Sequence, residues 1–465
     1  MKQRGYFYVG FATTLNIVLY ALTFGRFIWL EARVRGGVFR NWGRRFRYRP
    51  PNFVEPTTEE EIVALVKNSK GIRFFGAGHS FNDGVVADHV LVSLDNYCGL
   101  VWKDLEKKQL CVRGGTRVRD VIKLMLKEGL AFAAQPSHDA QSIAGILSTD
   151  VHGTGREWGF VSESVVRLKL IDGRGQIHEC GPSDDLFRAA IGGIGAVGII
   201  PEVVLQGVAR FNIDQRVEIS DLTFVKNNFV QLLQEHTHIS FYLFPFTNRC
   251  QINTWNGTTK NKSFLNTVRE FLSISKDALL SAWFGGFMAI SGLLPKLSTL
   301  AYSFKKGTSL VMESNEAFNR TIYHLHQELE FTVPFEDTFE ACDRFIKLFE
   351  KMYLERKLPY TLFEVRFTPA GHDITLLGAG RDRRSTWIDL VPNDSHNFEE
   401  YYAAAEQLMK ETGARPHLGK YCQSFRKADL AKLHGDHFTR FIELTNKYDP
   451  DQKFANSLTR RIFHD

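Results

Sequence analysis

The sequence has no CxxC pair, no HExxH, no GxxxxGK[ST] and no GxSxG, and each absence closes a class of chemistry. Six cysteines in 465 residues (Cys98, Cys111, Cys180, Cys250, Cys342 and Cys422) stand far apart. That spacing excludes a clustered zinc site and a disulfide-framed secreted domain, and it predicts reduced thiols and no metal. The other missing motifs remove the zinc-peptidase helix, the triphosphate cradle and the hydrolase nucleophile elbow. A positive excess is missing from the body of the chain. The formal net charge is +6, but residues 1–50 hold ten Lys and Arg against Glu31 alone, so the remainder is slightly negative. Nucleic-acid binding therefore has no electrostatic footing.

Tyr6–Gly25 is an uncharged stretch of twenty residues, "YFYVGFATTLNIVLYALTFG", about the length of a helix that crosses a bilayer. A cleaved signal peptide has a shorter apolar core and a small-residue cleavage site, and "RFIWLEARVR" follows instead. The reading is a single-pass membrane anchor. The arginine cluster after it places the body in the cytoplasm and suits anionic head groups. A second uncharged run, Ala278–Pro295, is interrupted by Gly285, Gly286 and Gly292. It reads equally as a buried helix pair or as a patch resting on a membrane surface.

Beyond residues 1–49, the anchor and basic linker, three parts are expected. Residues 50–208 mix strands ("GIRFFGAG", "HVLVSLDNY", "QLCVRGGTRV") with helices ("TTEEEIVALVKNS", Val118–Phe132) and lack a regular βαβ rhythm, so the class is α+β. Residues 209–414 read as an antiparallel sheet covered on one face by helices around Asn315–Glu328, Phe335–Arg356 and Phe398–Thr412. Residues 415–465 end in a short segment that packs back on other elements.

Several stretches carry chemistry. "FFGAGHSFND" (Phe74–Asp83) is a glycine-built turn with His79 at its exit, and such turns bring backbone N–H groups close to a ligand. "QSIAGILSTDVHGTGRE" (Gln141–Glu157) packs small residues before His152, leaving backbone to lie against a flat ligand or a phosphate. Gly193–Gly198 matches GxGxxG, but a helical "SDDLFRAAI" precedes it and a strand containing Pro201 follows, the reverse of a dinucleotide fingerprint. In "TLFEVRFTP", Glu364 and Arg366 share one strand face while Phe363, Val365 and Phe367 share the other. The pair is either a rigid polar site or a surface ion pair. Lys420, in "GARPHLGKY", taken alone reads as a solvated loop lysine.

In order and spacing, "GAGHSFND", "SIAGILSTDVHGTG", "GGIGAVGIIPEV", "FYLFPFTN", "FEVRFTP", "RPHLGK" and "DPDQKFANSLTRRIF" resemble the vanillyl-alcohol-oxidase-type flavoproteins, and among them the sugar-lactone and alditol oxidases. The resemblance implies a PCMH-type FAD-binding domain, an antiparallel-sheet cap over the flavin and a C-terminal segment returning to the FAD domain. It implies that Gly76, Ala77, Gly78, His79, Ser80, Phe81 and Asn82 wrap the FAD pyrophosphate. His79 stands where many members bond the flavin covalently. Ser137, Ser142, Gly145, Thr149, Asp150, Val151 and His152 would line the cofactor, with Ile200 near its adenosine portion. Glu364, Arg366 and Lys420 match the catalytic residues. The implied activity is oxidation of a CH–OH group in a sugar, aldonolactone or polyol, with O2 or another acceptor taking the electrons. "TDVHGTG" departs from the family's "TGTHGSG" and is similar to the lipid-linked-sugar oxidase branch; "HLGK" replaces "HWGK". A lipid-linked sugar is the alternative substrate, and a flavin-free tethered scaffold the non-enzymatic one.

Overall fold

The computed structural model describes residues 33–266, 307–318, 326–356, 361–392 and 398–464, with Val18, Val268, Lys296 and Leu300. The expected anchor (apart from Val18) and the run Ala278–Pro295 lie outside the described residues. Among those described, no helix is long and apolar enough to cross a membrane.

Local sequence chemistry accounts for the first elements. Helix Glu59–Asn68 starts at Thr58, whose hydroxyl accepts from the Glu61 N–H while Glu61 reaches back to the Thr58 N–H. This reciprocal cap and three acidic residues in the first turn offset the unsatisfied donors and positive end of the helix. The helix connects Asn52–Val54 to Ile72–Phe75 in a small parallel sheet, with Val90–Ser93 between them. Beside it lies a five-stranded antiparallel sheet in the order Ile177–Cys180, Val165–Ile171, Ile199–Gln206, Gln109–Arg113, Leu100–Asp104. The GxGxxG segment joins helix Asp185–Ala190 to strand Ile199–Gln206, so helix precedes turn and strand follows.

The second half is an eight-stranded antiparallel sheet ordered Thr308–Glu313, Asn212–Asp221, Arg249–Thr258, His238–Leu243, Thr361–Thr368, Ser385–Pro392, Leu329–Pro334, Arg415–Pro416. Helices Leu222–Glu235, Thr338–Arg356 and Phe398–Thr412 cover one face. Phe229, Phe345, Phe349, Tyr401 and Tyr402 from these helices join Phe363, Val365 and Phe367 in the main core. The alternation in "FEVRF" thus sends its aromatics to the helices and its charges to the opposite face.

The helix expected around Asn315–Glu328 is corrected. The helix found is Ser314–Ala317, residues 319–325 lie outside the described set, and His326–Glu328 run directly into strand Leu329–Pro334. The reason is tertiary: Leu329–Pro334 is drawn into register with Ser385–Pro392, and its alternation buries Leu329, Phe331 and Val333 in the core. Arg415–Pro416, grouped by sequence with the C-terminal part, pairs at the edge of the large sheet.

The C-terminal residues do pack back. The Ile72 N–H donates to Lys453 O at 2.8 Å, and Asn456 Nδ2 donates to the carbonyls of Asp83, Gly84 and Val86, each at 3.0 Å. Arg461 Nη2 meets Asp83 Oδ1 at 3.0 Å.

Candidate active site

The turn after strand Ile72–Phe75 needs its glycine. A Cβ on Gly76 would fall 1.7 Å from Ser142 Oγ, so only a bare backbone can press the turn against the start of helix Ile143–Ser148. Ser142 caps that helix by accepting from the Gly145 N–H at 3.3 Å. At the other end of the turn, Asn82 Nδ2 donates to Leu418 O at 2.5 Å and to Lys420 O at 2.9 Å. The Phe81 N–H donates to Gly419 O at 3.0 Å. The turn and the "RPHLGK" loop are thereby one unit.

These segments enclose a cavity of about 350 Å³. Gly76–Asn82, Ser137, Ser142, Gly145, Thr149, Val151, His152 and Ile200 all line it, and so do Glu364, Arg366 and Lys420. His79 stands in this wall with its ring stacked on Trp42, centroids 5.9 Å apart and planes at 18°. Asp150 is the exception and is corrected. It is buried behind the wall with φ +50°, accepting from Ser162 Oγ at 2.8 Å and facing His372 Nε2 at 3.0 Å. A left-handed residue turns its side chain away from the face its neighbours share.

Glu364 and Arg366 form neither a surface pair nor an isolated one. Both are only 6% exposed. Arg366 Nη2 donates to Glu330, and lies 4.0 Å from Asp389 Oδ2, while Nε is 3.9 Å from Glu364 Oε1. Burial opposes the charge on Arg366, but the three carboxylates outweigh it and hold the guanidinium above its ordinary value. Burial likewise opposes ionisation of Glu330, and Arg366 and His152 overcome it, so this carboxyl is held well below the usual range. His152 stacks on Trp387 (centroids 3.6 Å) and faces Glu330 Oε1 at 3.0 Å; burial pushes it down to about 4. Lys420 is not a solvated loop lysine. Its ammonium is bound to Glu328, lies 3.8 Å from Glu330 Oε2, and is pushed down to about 7 by burial.

His152, Glu330 and His417 bring possible ligand atoms within 4.8 Å of one another. Part of this donor set is already engaged: Glu330 Oε1 holds Arg366 and faces His152 Nε2, and His417 Nδ1 accepts from the Gly419 N–H at 3.0 Å. The neighbouring guanidinium also disfavours a second cation there.

Glu328, Glu330, Asp389, Tyr242 and Arg73 are among the wall residues not singled out by sequence. Glu328 and Glu330 share the i, i+2 spacing that marked Glu364 and Arg366, and "QELEF" displays it. Asp389 is the single charge in "STWIDLVP", and Tyr242 faces Glu364 across the sheet. Arg73, alone among the apolar residues of "IRFF", donates to the carbonyls of Gly84 (2.9 Å), Phe454 (2.7 Å) and Ile194 (3.0 Å). Burial pushes it down to about 10, which still leaves a cation beside the glycine turn.

A model of the D-arabinono-1,4-lactone oxidase family matches residues 203–462, and an FAD binding domain model matches residues 50–181. The chain belongs to the D-arabinono-1,4-lactone oxidase family. It is accordingly an FAD-dependent oxidoreductase. Relatives in and around the family include L-gulono-1,4-lactone dehydrogenase of Mycobacterium tuberculosis, 25% identical over 91% of this chain and 99% of that protein. L-gulonolactone oxidase of Bos taurus is 27% identical over 92% of this chain and 99% of its own. Among solved structures, cholesterol oxidase from B. sterolicum superposes with a TM-score of 0.72 over 94% of this chain and all of that one, at 14% identity. That likeness is one of fold: a mixed α/β FAD-binding fold with an antiparallel sheet. The cavity of this family member suits the cofactor on its own terms. A turn that excludes even a Cβ, and a buried arginine beside it, fit a pyrophosphate and its charge.

Proposed function

We propose that the protein oxidises a hydroxyl-bearing carbon of a neutral sugar lactone or polyol. The observation that carries this reading is the convergence of Glu364, Arg366 and Lys420 in the cavity that also holds the glycine turn. FAD, when bound, accepts the hydride from that carbon. Gly76–Asn82 would hold its pyrophosphate, with Arg73 balancing charge, and Ser137, Ser142, Gly145, Thr149, Val151 and His152 would lie along it. Ile200 would adjoin the adenosine portion, and His79 is the residue for a covalent link to the flavin. Arg366 and Lys420 supply positive charge at the reacting end. Glu364 and Asp389 accept hydrogen bonds from substrate hydroxyls and orient the carbinol carbon. Four carboxylates (Glu328, Glu330, Glu364, Asp389) face two cations, Arg366 and Lys420, at the reacting end of this wall, the third cation, Arg73, lying beside the glycine turn. The excess negative charge favours a neutral lactone or polyol over its open-chain acid, and the relatives' names support the lactone.

The domain assignment is residues 1–49 as anchor and linker, 50–208 for FAD, 209–414 as cap and 415–465 returning to the FAD part. The uncharged stretch Tyr6–Gly25 and the arginines after it support a membrane-held protein with a cytoplasmic body. O2 or another acceptor reoxidises the flavin.

The test is flavin reduction, followed anaerobically, with a panel of aldonolactones, alditols, the matching aldonates and polyprenyl-phosphosugars. Lactones or alditols reduce the flavin and aldonates do not. Lys420→Ala lowers that rate by about 100-fold while leaving the flavin spectrum unchanged, in line with the loss of one charged donor at a reacting centre. Reduction at the wild-type rate in Lys420→Ala would sink the assignment. Yellow colour in the acid precipitate reports the His79 link, and its absence in His79→Ala locates it.

A further inference from the structure

Glu328 is outside both the cofactor turn and the E-x-R strand, yet its buried carboxylate stands in the cavity wall. Oε2 accepts from the Lys420 ammonium, and Oε1 faces His326 Nε2 at 2.8 Å. The backbone sets this meeting: the Tyr421 N–H donates to Glu328 O and the His417 N–H to Glu330 O, both at 2.9 Å. The lysine loop is therefore zipped along the strand that carries the carboxylate. Two aromatic rings brace the outer members. His326 packs on Trp42 (centroids 4.8 Å) and Phe81 (5.8 Å), and Lys420 Nζ stands 5.4 Å from the centre of the same Phe81 ring.

The geometry points to Glu328 as the positioning residue that fixes Lys420 in place as an ammonium, with His326 bracing the far carboxylate oxygen. This rests on the reading of Lys420 as part of the reacting site. The titratable groups in the same wall are Glu330 on the strand that Glu328 leads into, Asp389 on the next, Glu364 and Arg366 on the one after, Tyr242 beyond them, His326 beside Glu328, His152 and His417 on the flanking loops, and His79, His138 and Arg73 toward the glycine turn. Arg366 is already held by Glu330, so its charge is taken up before it reaches Lys420. Burial opposes the charge on Lys420 and draws it down to about 7. Glu328 touches the ammonium directly and works against that loss. Lys420 then acts as a fixed positive donor and not as an acceptor of the substrate's proton.

Competitive labelling of the FAD-loaded protein with trace acetic anhydride between pH 4.5 and 10 measures this without turnover, the Lys420 peptide being quantified by mass spectrometry. In Glu328→Gln the midpoint of Lys420 labelling falls by about 1–2 pH units, the usual effect of losing an adjacent opposite charge. Glu328→Asp, which withdraws the carboxylate by one methylene, gives a smaller fall and covers the case in which the glutamine variant does not fold. An unmoved midpoint in whichever variant folds overturns the proposal. The pH profile of flavin reduction is then measured on the same variants. If the labelling midpoint moves and the kinetic limb does not, Glu328 keeps its role and the reading of Lys420 as a reacting group fails.

Discussion

Asp150 holds a left-handed backbone at the position where the resembling sequences carry glycine, and its side chain repays the strain elsewhere. His372, fully buried and stacked on Phe160 with centroids 3.5 Å apart, sits between Asp150 (3.0 Å) and Glu163 (3.7 Å). Burial opposes its charge, but Asp150 and Glu163 raise it to about 9. The sign follows from the raised value: this stabilisation is full below about pH 6.5 and is lost as the pH climbs through 9. A shift of this size is worth about 3 kcal/mol. We therefore expect Tm to fall between pH 7 and 10, and His372→Gln to be less stable at pH 7 with a flatter profile over that range. Parallel profiles for the two proteins would remove the ion pair from the account. The pair was hidden from the sequence because its members lie 222 residues apart. Nor does the "TDVHGTG" run disclose that one residue in it turns the other way.

At the scale of elements, local pattern was a good guide wherever one strand or one helix decided the outcome. Helix Phe398–Thr412 and strand Thr361–Thr368 are where their periodicities place them, and the two faces of "FEVRF" divide as the period of two requires. Residues 326–330 defeated the same approach because their partner, Ser385–Pro392, lies far downstream and overrides local preference. With Glu328 read as the end of a helix, it and Glu330 could not be seen to share a face. The turn–helix contact at Gly76 carries its own expectation. Gly76→Ala forces a methyl onto Ser142, so the turn must withdraw and FAD content on purification should drop by more than half while the secondary-structure spectrum is retained. A Gly76→Ala protein with full flavin content would show that the turn tolerates what the contact distance forbids. The companion change Ser142→Gly, which removes the obstructing hydroxyl, should restore flavin to the double variant.

Across the whole molecule, the parallel sheet and glycine turn draw on residues from the far end of the chain. Asn456 donates to three carbonyls of the segment after the turn, two of which have a second donor (Arg73 to Gly84 O, the Val86 N–H to Asp83 O), and its side chain is completely buried. Asn456→Ala takes the side-chain donor from Val86 O and the second donor from Asp83 O and Gly84 O, which is expected to destabilise by about 1–3 kcal/mol. Chemical denaturation with flavin fluorescence as the probe tests it. Release of flavin at lower denaturant than in wild type, ahead of loss of the large sheet, is the expected order. Little of this was legible beforehand: "DPDQKFANSLTRRIF" can be recognised as a segment that packs back, but which carbonyls it satisfies depends on the closed fold.

The backbone bond from Ile72 to Lys453 has a temporal consequence. Ribosomes deliver residue 72 long before residue 453, so the strand leading into the flavin turn waits through most of synthesis with its neighbour missing. A nascent chain halted before residue 450 should leave that turn open to protease even when flavin is abundant, and cofactor capture becomes one of the last events in the making of this enzyme.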